Sequence, residues 1–110
     1  LWYNMLTVRR KNIIIYQYLG RITMYVKDVL VQNQVGLHAR PATFFIQKAN
    51  EFKSSIWVEK EERRVNAKSL LGVLSLGIMG GTKIRIIAGG PDEEQAVEEL
   101  VKLVESGFAE

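Results

Sequence analysis

The stretch YVKDVLVQNQVGLHARPATFFIQKANEF, residues 25–52, holds a strand, a loop and a helix in succession. Residues 25–31 are rich in valine and leucine, which favours a β-strand. From Ala42 to Phe52, apolar residues recur every three or four positions, as on one face of a helix. Pro41 precedes this run, and the first turn of a helix tolerates proline because the missing N–H has no partner there. The stretch therefore predicts a strand joined to a helix by a loop around His38.

The pattern continues downstream with two short strands, a helix, a strand and a last helix. We predict strands over 55–60, 63–66 and 82–88, a helix over 70–78, and a last helix that follows the cap at Asp92 and stops near Gly107. The two short strands meet at Glu61-Glu62, a weak turn signal that lacks Gly, Asn and Pro. In the fourth strand, Ile87 is expected on the face opposite the core. The order β-α-β-β-α-β-α predicts an α+β open-faced β-sandwich, a four-stranded antiparallel sheet with three helices on one face.

The chain of 110 residues is long enough for one domain of ordinary size. Residues 1–23 contain four basic side chains and no acid, whereas residues 24–110 hold 11 basic and 12 acidic side chains. Because the second part is nearly neutral, we expect no direct nucleic-acid binding. The apolar run 13–19 is shorter than the ~20 residues that span a bilayer, so we expect no membrane insertion. We interpret residues 1–23 as an N-terminal extension, from an upstream start or disordered, with a docking tail or membrane-surface tether as alternatives, and residues 24–110 as the folded domain.

The composition leaves few routes to chemistry. The chain has no cysteine and a single histidine. The lack of cysteine excludes disulfides, thiolate metal sites and cysteine nucleophiles, and one histidine excludes a site built from several. We therefore expect no metal and no cofactor, and most of the chemistry still open to the chain involves His38.

His38 lies in the run GLHARPA, residues 36–42, at the start of the first predicted helix. Unpaired backbone N–H groups at a helix start attract an anion, and the helix dipole adds to that attraction. The same positive end favours a neutral imidazole, whose free ring nitrogen can attack phosphorus. Arg40 can place its guanidinium against phosphate oxygens. These residues suit a phosphohistidine, although a lone histidine at a helix start is more often a surface or capping residue.

The run GLHARPA, followed by VNAKSLLGVLSLGIMGGTKI at residues 65–84, resembles the HPr family of Gram-positive type. Members of this family are histidine phosphocarriers of the bacterial sugar phosphotransferase system. The resemblance covers residues 25 to about 106 and implies a cytoplasmic carrier rather than an enzyme. It implies that enzyme I phosphorylates His38 on Nδ1 and that the group passes to sugar-specific IIA components. It further implies that the Arg40 side chain and the N–H groups of Ala39 and Arg40 hold the phosphate.

The resemblance also assigns a regulatory role to Ser69. In the family, the ATP-dependent HPr kinase/phosphorylase modifies this serine, and the modified protein binds the catabolite control repressor. The residues alone favour an ordinary N-cap of the second helix, and the two roles are compatible.

An apolar docking surface is a further implication of the resemblance, and we expect a monomer that forms small, transient contacts. The candidate partner-binding residues are Thr43, Gln47, Leu70, Leu71 and Leu74. Val73 and Leu76 are expected to be buried instead. Lys48 and Lys68 are expected to meet acidic partner surfaces and speed encounter.

Three other functions remain open at this point. The first is a regulatory corepressor module that works mainly through Ser69; a related regulatory paralogue lacks the active-site histidine, which this chain retains. The second is a ferredoxin-like nucleic-acid or metabolite binder, which would need a basic, aromatic sheet face. The third is the carrier domain of a related system that serves nitrogen regulation or a dihydroxyacetone kinase.

Overall fold

A computed structural model describes residues 24–34 and 36–108, and the prediction of an N-terminal extension over residues 1–23 lies outside them. The elements in chain order are β1 Tyr25–Leu30, α1 Ala39–Ala49, β2 Ser55–Lys60, β3 Arg63–Asn66, α2 Leu70–Ser75, β4 Lys83–Gly89 and α3 Glu93–Glu105. The strands form one antiparallel sheet in the order β1-β4-β2-β3. This architecture confirms the predicted open-faced sandwich. In the described part of the chain, no helix has the length and apolar character needed to cross a membrane.

The hydrophobic core lies between the sheet and the helices. In the central strand β4, Ile84 and Ile86 are 1% and 0% exposed, as the alternation of the strand predicts. Phe45 of α1 and Leu100 of α3 are fully buried in the same cluster. The helices therefore cover one face of the sheet and fix α1, whose N-cap is His38 and whose first turn contains Arg40.

The opposite face of the sheet carries a row of alternating charges. Asp28, Arg85, Glu59 and Arg64 are successive neighbours across the four strands. The Arg85 Nε lies 2.8 Å from Asp28 Oδ1, and the Arg64 guanidinium lies 3.4 Å from Glu59 Oε2. Such exposed pairs contribute only about 0–1 kcal/mol each, but opposite charges in register favour this strand pairing. The alternation leaves this row without the run of positive charge that a nucleic-acid-binding sheet needs.

Ile87 lies on the same outer face, as predicted, yet it is only 3% exposed. Its neighbours across the sheet are Val26 on β1 and Trp57 on β2. Two bulky side chains on the adjoining strands therefore flank it and account for its burial outside the core cluster.

The start of α1 and the end of α2 differ from the positions that the apolar pattern predicts. Helix α1 begins at Ala39 rather than Ala42, so that Pro41 is its third residue. Proline fits there because that N–H is still without an intrahelical partner. Helix α2 ends at Ser75, before the predicted end, because Gly77 takes a left-handed φ of 60° that an α-helix does not accommodate.

The β2–β3 hairpin turns through Glu61, which has a φ of 59°. This left-handed conformation is uncommon for a residue other than glycine, asparagine or aspartate. The hairpin therefore forms at the predicted position with a residue poorly suited to its turn.

Asp92 ties the β4–α3 connection to the segment between α1 and β2. It is the N-cap residue of α3, but its carboxylate makes no capping bond to that helix. The carboxylate instead accepts hydrogen bonds from the N–H groups of Lys53 and Ser54, at 2.9 Å each, and from the Ser54 hydroxyl at 2.5 Å. These hydrogen bonds lower the pKa of Asp92 to about 2, and the bond from the Ser54 hydroxyl makes the largest contribution.

Candidate functional site

The loop before α1 rests on the segment that follows α2. Gly36 has a φ of 69°, and a Cβ atom at this position would lie 2.3 Å from the carbonyl oxygen of Ile78. The next N–H, that of Leu37, donates to the same carbonyl at 2.9 Å, and the Leu37 side chain is only 2% exposed. The Asn33 amide donates to the Gly36 carbonyl at 2.9 Å. This support fixes the backbone that leads directly to His38.

The start of α1 leaves two backbone donors unpaired. His38 is the N-cap residue, and its side chain makes no capping hydrogen bond. The first intrahelical bond runs from the Ala42 N–H to the His38 carbonyl at 2.8 Å, and Pro41 has no N–H. The N–H groups of Ala39 and Arg40 therefore remain without an intrahelical partner. Both predicted backbone donors lie beside the histidine, where an anion is favoured.

The side chains of His38 and Arg40 are exposed to solvent. Neither forms a hydrogen bond or an ion pair with another described residue. An imidazole in this position is open to a phosphoryl donor on another protein, and the guanidinium two residues away is free to approach the phosphate oxygens. Within residues 24–34 and 36–108, no group of carboxylate or imidazole side chains could hold a metal ion.

Ser69 is the N-cap residue of α2. Its hydroxyl oxygen accepts a hydrogen bond from the Gly72 N–H at 3.0 Å, which confirms the predicted capping role. The side chain is half-buried against Gly72, where an added Cβ would lie 3.2 Å from the Ser69 oxygen. A phosphate on this oxygen would therefore have to share or replace the capping bond.

The leucines of α2 divide between the core and the surface as expected. Leu71 is 79% exposed and Leu70 is 41% exposed, and Leu74 is half-buried. Val73 and Leu76 are 0% and 4% exposed. The exposed leucines thus form an apolar surface on α2 and belong only in part to the core.

Thr43 and Gln47 are exposed on α1, which packs against α2. The Thr43 hydroxyl donates to the carbonyl of Ala39 at 2.8 Å, so its methyl group is held in one orientation on the first turns of the helix. Met79 is a further exposed apolar residue, 57% exposed, and the sequence pattern did not select it. Its Cα would lie 2.5 Å from a Cβ at Gly36, which places Met79 beside the loop that carries His38. The signal in the sequence was an apolar residue directly before Gly80-Gly81.

Two lysines expected to face partners are engaged within the fold. The Lys48 ammonium lies 3.4 Å from Glu51 and 3.5 Å from Glu99. The Lys68 ammonium donates to the carbonyl of Phe52 at 2.7 Å. The Glu51 contact is local to the end of α1, whereas tertiary packing brings Glu99 of α3 to Lys48 and the Phe52 carbonyl to Lys68. Both charges are therefore partly compensated before any partner arrives.

Comparison with known proteins identifies the family. The model described as the PTS HPr component phosphorylation site matches residues 25–106. HPr-like protein Crh of Halalkalibacterium halodurans is 46% identical over 82 residues, which are 74% of this chain and 98% of that protein. Phosphocarrier protein HPr of Treponema pallidum is 39% identical over 87 residues, covering 79% of this chain and 99% of that protein. The crystal structure of HPr-C-His from Thermoanaerobacter tengcongensis is similar at a TM-score of 0.76 and 48% identity, covering 78% of this chain and 97% of that one. The chain therefore belongs to the HPr family, the phosphocarrier proteins of the phosphotransferase system.

Proposed function

We propose that this chain accepts a phosphoryl group on His38 from phosphorylated enzyme I and passes it to sugar-specific IIA components in the cytoplasm. The observation that carries this proposal is the exposed His38 side chain, which occupies an N-cap without making a capping bond. The carrier domain comprises residues 24–110 on this proposal, and residues 1–23 are an extension that precedes it. The protein acts as a carrier that is itself phosphorylated rather than as an enzyme.

The chemistry requires a nucleophile and moderate charge stabilisation. The His38 ring attacks phosphorus through Nδ1, a P–N bond to His38 forms, and the bond between the phosphoryl group and enzyme I breaks. The Arg40 guanidinium and the N–H groups of Ala39 and Arg40 would hold the phosphate oxygens, since both residues directly follow His38 at the start of α1. Three donors at an exposed site stabilise the phosphoryl group without enclosing it, so a second protein can remove it.

Docking uses the exposed apolar surface between α1 and α2 on this proposal. We assign Leu70, Leu71 and Leu74 to its centre and Thr43 and Gln47 to its edge. Such a surface suits the small interfaces of transient complexes, which lose their partner quickly. A monomer is sufficient, because the loop, the first turn of α1 and the leucines all belong to one chain.

Regulation is proposed to act through Ser69. HPr kinase/phosphorylase would phosphorylate its hydroxyl, and the phosphorylated protein would bind the catabolite control repressor. The position of Ser69 supports this, because a phosphate there would add negative charge next to Leu70 in the docking surface. We therefore expect the serine-phosphorylated protein to accept phosphoryl groups from enzyme I more slowly.

A second candidate function is supported by the relative named HPr-like protein Crh. In that case the chain would act mainly as a corepressor through Ser69, with little phosphoryl transfer through His38.

Complementation of a bacterial strain that lacks its own HPr separates the two functions. Wild-type protein and Ser69→Ala are expected to restore uptake of sugars that depend on the phosphotransferase system, whereas His38→Ala is not. Restoration by His38→Ala equal to wild type, or no restoration by a stably expressed wild-type protein, would contradict the carrier function. Repressor binding by the serine-phosphorylated His38→Ala protein is the readout for the regulatory function.

A further inference from the structure

Two cations of the β2–β3 hairpin reach the carboxyl end of α2. The Arg63 guanidinium donates to the Ser75 carbonyl at 3.0 Å and to the Ser75 hydroxyl at 3.2 Å. The Lys60 ammonium donates to the carbonyls of Leu76 and Gly77 at 3.1 Å and 3.3 Å. Three successive carbonyl groups at the end of this helix thus receive a charged donor from the sheet.

Helix α2 has few stabilising features of its own. It has six residues and no basic residue in its last turn, and Val73 is its one buried residue. Helices of this length are not stable in isolation, and the unpaired carbonyls at their end favour a cation. Lys60 and Arg63 supply that charge from another element. Neither forms an ion pair with an acidic side chain among the described residues, so the helix end is their principal contact.

We propose that Lys60 and Arg63, the hairpin cations, are positioning residues that hold α2 in the orientation needed for docking. The proposal rests on the proposed function in one respect, namely that Leu70 and Leu71 of α2 contact partner proteins. Neither cation touches the phosphoryl group in this role. They act through the helix whose end they hold.

The same contact relates α2 to His38. Gly77, whose carbonyl accepts from Lys60, is followed directly by Ile78. The Ile78 carbonyl accepts from the Leu37 N–H at 2.9 Å, and Leu37 precedes His38. A partner must meet the leucines of α2 and the histidine together. The hairpin cations therefore fix the distance between the docking surface and the phosphorylated ring.

The test compares a double variant, Lys60→Met with Arg63→Gln, against the matched control Arg64→Gln. Arg64 lies next to Arg63 in the same strand, but its guanidinium pairs with Glu59 on the outer face of the sheet. Both kinds of variant remove positive charge from the hairpin, and only the double variant releases α2. Hydrogen exchange measures the helix end through the N–H groups of Leu76 and Gly77, which donate to Val73 and Leu74.

We expect these two N–H groups to exchange at least about tenfold faster in the double variant and at the wild-type rate in Arg64→Gln. The Asn50 N–H, bonded to Ile46 at the end of α1, reports whether the rest of the fold is intact. With phosphorylated enzyme I, we expect KM for the double variant to rise roughly five- to tenfold while kcat stays within about twofold. When Arg63 is replaced by Lys instead of Gln, the charge and one donor remain, and the rise in KM should be smaller.

Three results would overturn the proposal. The first is unchanged exchange at Leu76 and Gly77 together with a raised KM, because the cations would then contact enzyme I themselves. The second is a KM equal to that of wild type in the double variant. The third is a rise in KM for Arg64→Gln of about half that of the double variant on a logarithmic scale or more. Because Arg64→Gln removes one charge and the double variant removes two, net charge would then be the cause. Failure of enzyme I to phosphorylate the wild type would contradict the proposed function, and the exchange data would still decide whether the cations hold the helix.

Discussion

His38 and Ser69 both occupy helix N-caps, and they use the position in opposite ways. The Ser69 hydroxyl oxygen accepts a hydrogen bond from the Gly72 N–H, so one of the unpaired N–H groups at the start of α2 gains a partner. The His38 side chain makes no such bond, so the start of α1 keeps the N–H groups of Ala39 and Arg40 for a ligand. Histidine has little preference for the N-cap, yet it occupies the start of α1, where an anion is expected. The same local position thus serves capping in α2 and is proposed to serve phosphate binding in α1.

Substitution of Ser69 separates its capping role from its phosphorylation. We expect Ser69→Ala to lower the free energy of unfolding by about 1 kcal/mol, because the Gly72 N–H loses its acceptor. Ser69→Asp should retain the cap and unfold within a few tenths of a kcal/mol of wild type, since aspartate is an equally good N-cap. Urea unfolding measures both variants. Equal stability of the alanine variant and wild type would mean that the cap contributes nothing.

The carboxylate of Asp92 gives the stability of the fold a dependence on pH. The hydrogen bonds from Ser54 and Lys53 lower its pKa from 3.8 to about 2. A lowered pKa means that the folded state favours the ionised form, so this contribution is complete above pH 3.8 and is lost as the pH falls through about 2. We expect Asp92→Asn to be less stable than wild type at neutral pH. That deficit should shrink between pH 4 and pH 2, as urea unfolding at each pH would show. A deficit that is constant across this range would contradict the assignment, and Glu94→Gln serves as a control.

At the scale of secondary structure, the β2–β3 hairpin contains a residue in an unfavourable conformation. Glu61 has a φ of 59°, which glycine adopts without steric cost. We expect Glu61→Gly to raise the free energy of unfolding by about 0.5–1 kcal/mol, the left-handed penalty minus the entropy that glycine loses on folding. Thermal unfolding followed by circular dichroism measures the change. Glu62→Gly, at a position without positive φ, should give no gain, and an equal gain there would show that the benefit does not come from φ.

The element order was predictable because each element has a local signal. The apolar repeat predicted α1, and valine, isoleucine and tryptophan predicted β2. The start of α1 at Ala39 was not predictable from that repeat, because Ala39 and Arg40 of the first turn are exposed and the apolar periodicity begins only at Ala42. The end of α2 likewise depends on the φ of Gly77, which glycine permits but does not require.

The candidate site was predictable in part for the same reason. His38, Ala39 and Arg40 are neighbours in sequence, so one short motif contains the histidine and all of its expected phosphate donors. The contacts of Arg63 with Ser75 and of Ser54 with Asp92 join residues 12 and 38 positions apart. Only the packing of the sheet against the helices brings such residues together. The contacts of Lys48 with Glu99 on α3 and of Lys68 with the Phe52 carbonyl after α1 are likewise evident only in the folded chain.

At the scale of the whole molecule, the layered architecture divides the surface into two regions. One side of the sheet is covered by the helices, and His38, Ser69 and the exposed leucines all lie on those helices or at their ends. The other side carries the row from Asp28 to Arg64, in which each charge has an opposite neighbour. Docking, phosphorylation and regulation are therefore expected to share one region, so that a phosphate on Ser69 and a partner on α2 influence each other.

The most direct test of the carrier function is intact-mass spectrometry after incubation with enzyme I, phosphoenolpyruvate and magnesium. Wild-type protein is expected to gain one phosphoryl group that acid removes, because a P–N bond is acid-labile. His38→Ala is expected to gain none, while circular dichroism confirms that it is folded. A folded wild-type protein that gains no phosphoryl group, or a His38→Ala variant that gains the same acid-labile group, would contradict the assignment of His38 as the phosphoryl carrier.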